Sequence, residues 1–539
     1  MFLEGKNVWL RENRLLPGRA AFALAASGRV EEAVVTLERS RALLLSESLR
    51  RGRAKLEHLA ALGRENLITQ FRQSSERMNG LDKQQRREDR IKSPEFLEEL
   101  RSARVDFDKA ISEIRQVPGY ESFLQPPTHA EIQIAADAVP IIYLTASRWG
   151  GLALVVWPSR IGRSAHACWQ SSTPVWLKKL DEESAFRMLF IGTRSEEISD
   201  HGPFGYFLHQ AVWQQLHASA KAQHEFSQIL DQVTRWLWDA AMEPLLDVLL
   251  AAGERRVVLI PEGLLSFFPF HAAWKEERSP INGRKYALDE LTISYAPSAL
   301  AISEARQIAR TTISESFLGI ANPFPSSTHD ALPHAQDEVE MAASRFQSRL
   351  VLPPEEGTFD RVRGELPRYS VLHFACHGEA EIGEPLNNGL FLADDRKLAL
   401  RDFFGMDLHA RLAVLSACDT GVVDIQLPNE VISLPTGLLQ AGVAGVVSSQ
   451  WAVDEIGTML LVGRFFELWH THRCEPSEAL RSAQLWLRDA SNGELLSYAK
   501  KLLPSVDASS GEWEYIALYP SERAFSDSRH WAAFTYVGV

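Results

Sequence analysis

ArgLeuAlaValLeuSerAlaCysAspThrGly, residues 411–421, sets four consecutive apolar residues, Leu412 to Leu415, between a charge and a polar turn ending in glycine. A run this short, bounded by turn residues, reads as a strand buried on both faces. Working outward, SerValLeuHisPheAlaCys (370–376), ValAlaGlyValValSerSer (443–449) and PheLeuGlyIleAlaAsn (317–322) have the same texture, each flanked by helical or turn sequence. Four such strands form one largely parallel sheet covered by helices, an α/β sandwich. Further upstream, ArgArgValValLeuIlePro (255–261) is another buried strand ended by proline. A long helical segment at 208–252 precedes it. ValProIleIleTyrLeu (139–144) and GlyLeuAlaLeuValValTrp (151–157) read as a hairpin with a Gly-Gly turn.

In open α/β sheets functional groups gather beyond the carboxyl ends of the strands. Two strands of this chain end in chemically useful residues there, His377-Gly378 and Cys418-Asp419. Free cysteine is only slightly ionised at neutral pH, and a nearby histidine supplies the base that makes it a nucleophile. The N–H groups of Gly378 and Cys418 can together bind the oxyanion of an acyl-transfer intermediate. A cysteine at a strand end is, however, most often a small buried hydrophobe, and position alone does not decide between the two readings. Strand alternation turns Cys376 away from the face bearing His377, which reads as a packed core residue. His373 reads as a satisfied strand histidine or an orienting group. A zinc site built from His373, Cys376, His377 and Cys418 lacks structural-zinc spacing, so no metal and no cofactor is expected.

The first 120 residues carry no strand signal and are rich in Ala, Leu, Glu and Arg. Pro17 can open a helix and Gly28 can end it, with a second helix through Ala33, Val34 and Leu37. Helical sequence continues over 55–79, a charged break covers 80–92, and Ser93-Pro94 starts a helix that Pro118-Gly119 closes. AlaAlaPheAlaLeuAlaAlaSerGlyArgValGluGluAlaVal, 20–34, resembles one tetratricopeptide unit, although such units need neighbours to stack stably.

At 539 residues the chain exceeds what one core usually serves, and its 45% hydrophobic and 24% charged content is that of an ordinary folded protein. A net charge of -13 gives no general attraction to nucleic acid or anionic membrane. The basic stretch LysGlnGlnArgArg, 83–87, is interleaved with Asp82, Glu88 and Asp89 and reads as a solvated surface. Four cysteines without a CxxC support neither a disulfide framework nor a zinc ribbon. Charges at Glu4, Lys6, Arg11, Glu12 and Arg14 replace a signal-peptide core, and no apolar run approaches the length of a membrane span. A cytoplasmic protein without a membrane segment is expected. Neither GxGxxG nor GxxxxGK[ST] occurs, which argues against a nucleotide-binding α/β protein.

ValLeuHisPheAlaCysHisGly (371–378) and LeuSerAlaCysAspThrGly (415–421) resemble the two signature segments of CHAT domains, caspase-like peptidases often joined to tetratricopeptide repeats. The resemblance continues through ValValLeuIleProGluGlyLeuLeuSerPhePheProPhe (257–270), SerTyrAlaProSerAla (294–299), LeuProHisAlaGlnAspGluVal (332–339), the segment 434–455 and HisTrpAlaAlaPheThrTyrValGly (530–538). It implies a caspase-like α/β/α sandwich, with an inactive pseudo-caspase half at 128–310 and a protease half at 311–539. These follow a helical hairpin at 1–52 and long scaffold or linker helices at 53–127. It implies His377 as base and Cys418 as nucleophile of a cysteine endopeptidase acting on a protein substrate. A regulatory protein partner is expected at the N-terminal helices, and a catalytically silent scaffold or signalling adaptor is the rival reading. Asp419, Glu430, Trp451 and Asp454 are candidates to line the substrate pocket, with helix capping and core packing as competing roles for the aspartates and the tryptophan. Metacaspase-type relatives carry an aspartate two residues before the nucleophile to select basic side chains. Here that position is Ser416, so no preference for Arg or Lys follows.

Overall fold

The computed structural model describes residues 15–41, 59, 62–87, 94–118, 120, 123, 125, 127–159, 171–191, 205–207, 220–278, 283–322, 331–381, 384–404, 406–417, 428–503, 506, 507, 509 and 511–539. Its described strands are β1 (Ile141–Ser147), β2 (Gly150–Val156), β3 (Ser172–Leu177), β4 (Arg256–Pro261), β5 (Trp274–Glu276), β6 (Arg284–Tyr286), β7 (Thr292–Tyr295), β8 (Ser316–Ala321), β9 (Ser348–Leu352), β10 (Val371–Ala375), β11 (Gly378–Glu379), β12 (Gly389–Phe391), β13 (Lys397–Ala399), β14 (Leu412–Ser416), β15 (Gly445–Ser449) and β16 (Phe534–Gly538). Eleven of them form one sheet in the order β3-β2-β1-β4-β7-β16-β15-β14-β10-β8-β9. The strands β15, β14, β10, β8 and β9 are mutually parallel, as are β1, β4 and β7. β16 runs antiparallel to β15 and meets β7 through the single pair Val537↔Tyr295. Two groups of strands thus join at a narrow seam.

Both faces are covered, which explains why the strands are continuously apolar. Leu372 and Phe374 of β10 enter one core with Leu318, Leu415 and Val446. Val371 and Ala375 enter the opposite core with Val339, Phe465 and Phe466 from helices Ala335–Ala343 and Glu455–Phe466. Each fully buried Val, Leu or Phe side chain among these contributes roughly 1.5–3 kcal/mol. The architecture is the α/β/α sandwich expected from the sequence. The edge strand β3 tolerates Pro174 because edge positions have backbone groups outside the ladder.

Two compact units are distinguished. One spans 43–128 and contains helices Glu65–Arg87 and Pro94–Arg115, joined by Phe71, Ala110, Ile114 and Phe123. The first of these runs through most of the predicted charged break, because Lys, Gln and Arg are good helix formers. The other unit spans 15–42 and 129–539. In it the hairpin of helices Leu16–Ala26 and Val30–Ser40 packs on β1 and β4 through Ala21, Val34 and Leu37. Gly28 turns that hairpin at φ 80°, a conformation glycine adopts without strain.

The hairpin also sends buried polar groups into the sheet unit. Glu38 accepts hydrogen bonds from Tyr143 Oη (2.7 Å) and from the N–H groups of Ala299 (3.0 Å) and Leu300 (3.2 Å), capping helix Ala299–Thr311. Arg41 Nε donates to Pro297 O at 3.0 Å. The predicted Gly-Gly turn is displaced: the β1–β2 turn is Arg148-Trp149, held by Ser147 Oγ, while Gly150 and Gly151 already pair across the hairpin. At the seam, buried His271 donates from Nε2 to Ala532 O (2.8 Å) and accepts at Nδ1 from Tyr295 Oη (2.9 Å).

Candidate active site

β10 and β14 are neighbours and parallel, with Ala375 opposite Ser416 at their carboxyl ends. His377 follows β10 by two residues and is half-buried. Cys418 and Asp419 lie outside the described residues; Cys418 follows Ser416 by two positions in sequence. The described chain on either side is braced. Ser449 Oγ donates to Ala417 O at 2.8 Å, one residue before Cys418. Asn322 donates from its backbone N to Ala375 O (2.9 Å) and from Nδ2 to Phe391 O (3.3 Å), holding the start of the His377 segment.

Gly378 opens β11, an edge strand of a three-stranded ribbon with β12 and β13. Phe391 N donates to His377 O at 2.9 Å, which makes Gly378 and Leu390 a non-hydrogen-bonded pair. The N–H of Gly378 is therefore directed away from β12.

A cavity of about 50 Å³ lies against His377 and is also lined by His334, Glu338, Ser416, Glu455 and Thr458. Beneath it, His373 is fully buried and donates from Nε2 to Glu338 Oε1 at 2.7 Å, with Ser416 Oγ at 3.4 Å. Glu338 stands on helix Ala335–Ala343, so this bond ties the helix to the strand bearing His377 and to the strand preceding Cys418. Among the described residues His373 Nδ1 has no hydrogen-bond partner. Rings of Phe317 and Phe466 flank the imidazole at 6.1 and 5.5 Å between centroids. Burial pushes the Glu455 carboxyl above its ordinary range, opposed by a hydrogen bond from His334 N (3.3 Å).

Cys376 is buried in the core that holds Leu372 and Phe374, on the face opposite His373. Burial, and after it the Glu338 carboxylate, push its thiol far up, so it stays protonated and inert. His373 and Cys376 on opposite faces cannot share one metal ion. Asp454 accepts from Gly457 N at 2.7 Å and is the N-cap of helix Glu455–Phe466. Trp451 is fully buried, donates from Nε1 to Arg529 O (2.8 Å) and packs edge-on against Tyr206 and Phe226, the environment of a core residue. Glu430 is also buried, and its charge acts on Arg41 in the hairpin cluster. The structure thus gathers His377, Glu338, His334 and Glu455 around one cavity and places Trp451 and Asp454 in core and cap. Glu338, His334 and Glu455 were not singled out from sequence. The only signal for the first two was the segment 332–339.

A two-sided α/β sandwich with a histidine beyond one central strand and a braced carboxyl end on the adjacent strand is a caspase-like architecture. The model of the CHAT domain matches residues 231–539, more than half of the sequence, and the chain belongs to that family. Solved structures similar to it include the Saccharomyces cerevisiae separase–securin complex, at 11% identity and TM-score 0.43 over 94% of this chain and 37% of the separase-complex chain. The chain thus spans little more than a third of that relative's length. The Arg-specific cysteine proteinase gingipain R matches at 10% identity and TM-score 0.32, covering 58% of this chain and 67% of its own. The complex of Porphyromonas gingivalis RgpB pro- and mature domains matches at 11% identity and TM-score 0.28, covering 59% and 70%. No curated protein sequence matches the chain. Among the described residues no helix is long and apolar enough to cross a membrane.

Proposed function

We propose that the chain is a cysteine endopeptidase in which Cys418 is the nucleophile and His377 the acid/base group. The observation that carries this reading is the register of β10 and β14: Ala375 faces Ser416, and His377 and Cys418 each follow two residues later. His377 takes the Cys418 thiol proton, the thiolate attacks the substrate carbonyl carbon, and the proton passes to the leaving amine. Water then hydrolyses the thioester, with His377 again as base. The outward-directed N–H of Gly378, with that of Cys418, stabilises the oxyanion. The pair formed by Glu338 and His373 supports the strand that presents His377, acting as a positioning group.

The substrate class is protein. Ser416, two residues before the nucleophile, supplies no carboxylate to select Arg or Lys, and Asp419 is the remaining acidic candidate beside the nucleophile. A regulatory protein binds the N-terminal helices. The test is cleavage of a peptide library by the parent chain and by Cys418→Ala and His377→Ala. Both variants should fold and lose turnover, His377→Ala by at least about 100-fold. Captured partner should stay bound to His377→Ala. Appreciable turnover by folded Cys418→Ala would overturn the assignment.

A further inference from the structure

A second cavity, of about 480 Å³, opens at the seam between the two groups of strands. It takes in the first residues of β4 and β7, the residue before β14 and the last residues of β16, so it lies at the amino edge of β14, away from His377. Its walls carry Arg256, Arg306, Arg310, Arg411, Arg473 and His470. Among the described residues, the side-chain carboxylates lining the same space are those of Asp137 and Glu475. They do not balance the arginines. Asp137 pairs with Arg310 at 3.2 Å on the exposed rim, and Glu475 reaches Arg411 only at 3.9 Å. Arg411 also donates to Val539 O at 3.0 Å, and Arg306 to Ala135 O. Among the described residues Arg256 and Arg473 close no ion pair, although the charge of Arg256 acts on the Glu254 carboxyl outside the cavity wall.

Burial, and after it the charge of Arg473, hold His470 below its ordinary value, against a hydrogen bond to the Ser314 backbone and with Arg345 adding a smaller effect. Helix Pro476–Asp489 begins at the cavity, with Pro476 and Ser477 in the wall, and its N-cap Glu475 makes no side-chain capping bond. Pro476 has no N–H and Ala479 N donates to Glu475 O, so the N–H groups of Ser477 and Glu478 are those of the first turn left to add a partial positive charge and donors for an anion. The cavity is partly open to solvent, and its volume falls in the range of about 300–1,000 Å³ typical of small-ligand sites.

We propose that this cavity binds a small polyanion carrying two or more phosphate groups, and that the bound anion fastens the two groups of strands across their single-pair seam. Guanidinium forks match phosphate oxygens in pairs, and several forks from different strands and helices require more than one phosphate to satisfy them. The site is separate from the peptidase reading and does not depend on it.

The experiment is titration of the whole chain with sodium tripolyphosphate, with magnesium-free ATP and with inorganic phosphate at constant ionic strength, followed by calorimetry and thermal melting. Tripolyphosphate should bind one per chain and raise Tm saturably, with inorganic phosphate at least about tenfold weaker. Tighter binding of ATP than tripolyphosphate would identify a nucleotide source, and the reverse order an inorganic or non-nucleotide one. The double variant Arg256→Gln/Arg473→Gln should melt like the parent without ligand and bind at least about tenfold more weakly. Arg396→Gln, altering an exposed arginine paired with Asp360, should bind like the parent. Absence of saturable binding by both polyphosphates, or unchanged affinity in the double variant, overturns the proposal.

Discussion

Replacing Glu338 by leucine isolates the buried bond beneath the candidate site. In the folded chain Glu338 Oε1 accepts from His373 Nε2 at 2.7 Å, His373 is fully buried and the Glu338 side chain is 6% exposed. Leucine fills similar space and removes the acceptor. His373 Nε2 is then left with Ser416 Oγ at 3.4 Å, a long bond, while Nδ1 lacks a partner among the described residues. A bond to a charged group contributes about 1.5–3 kcal/mol, and a stranded buried donor costs about 1–3 kcal/mol, two overlapping descriptions of one loss. The expected destabilisation of the sheet unit is about 3 kcal/mol, a change of roughly 140-fold in its unfolding equilibrium. Glu338→Gln keeps the length and an acceptor oxygen and should lose less than half as much. The assay is urea unfolding followed by tryptophan fluorescence, with the slope checked so that a shifted midpoint reports stability. Unchanged stability of Glu338→Leu, or equal losses for both variants, would refute the reasoning. Because the pair also ties down the strand presenting His377, Glu338→Leu should lower peptide turnover under conditions where the fold is intact.

Cys376→Ser should cost about 1–3 kcal/mol by placing a hydroxyl in an apolar core, with turnover retained at subsaturating denaturant; a folded but inactive protein would show that the wrong cysteine has been assigned. Glu262 is buried and pushed from an ordinary 4.5 to about 7, mainly by burial, against a hydrogen bond from Thr145 Oγ1, the charge of Arg41 and the Gly18 N–H, with Glu182 adding to the rise. Between those values the folded chain holds a proton that the unfolded chain releases, so this group's contribution falls as pH rises from 4.5 to about 7, by at most about 3 kcal/mol. Glu262→Gln should flatten that slope in denaturation curves collected from pH 5 to 8, and an unchanged slope would remove Glu262 from the account. Gly319→Ala places a methyl against Val339 Cγ1 and Phe317 in the tightly packed layer under helix Ala335–Ala343, and should destabilise by about 1–3 kcal/mol in the same unfolding assay.

Strands buried on both faces were legible because their sequence signal is local. The four runs around 317, 371, 412 and 445 appear in the structure within two residues of the expected bounds. β9 and β3 were not read, since SerArgLeuValLeu and the Pro174-containing edge strand carry polar or proline positions that only an edge tolerates. The Gly150-Gly151 pair was read as a turn because glycine marks turns, whereas here it leaves room for Leu180 against the strand. At the candidate site, His377 was legible from its place after a buried strand. Glu338 was not, because its partnership with His373 joins residues 35 apart and depends on a helix crossing the sheet. Trp451 illustrates the converse: a large aromatic after a strand looks the same in sequence whether it faces substrate or core. Tyr206, Phe226 and Arg529, which enclose it, are remote in the chain. The arginine cavity was likewise invisible, since its five arginines come from β4, helix Ala299–Thr311, the start of β14 and the turn before helix Pro476–Asp489.

The central claim is that His377 activates Cys418, and it can be tested without knowing the substrate. The four cysteines of the native chain would be alkylated with iodoacetamide at pH 6.5, and the rate at each position read by peptide mass spectrometry in the parent and in His377→Ala. The account predicts that Cys418 reacts at least about tenfold faster than an ordinary exposed thiol, that His377→Ala removes this advantage, and that buried Cys376 stays unmodified. An ordinary rate at Cys418 that is the same with and without His377 would contradict it.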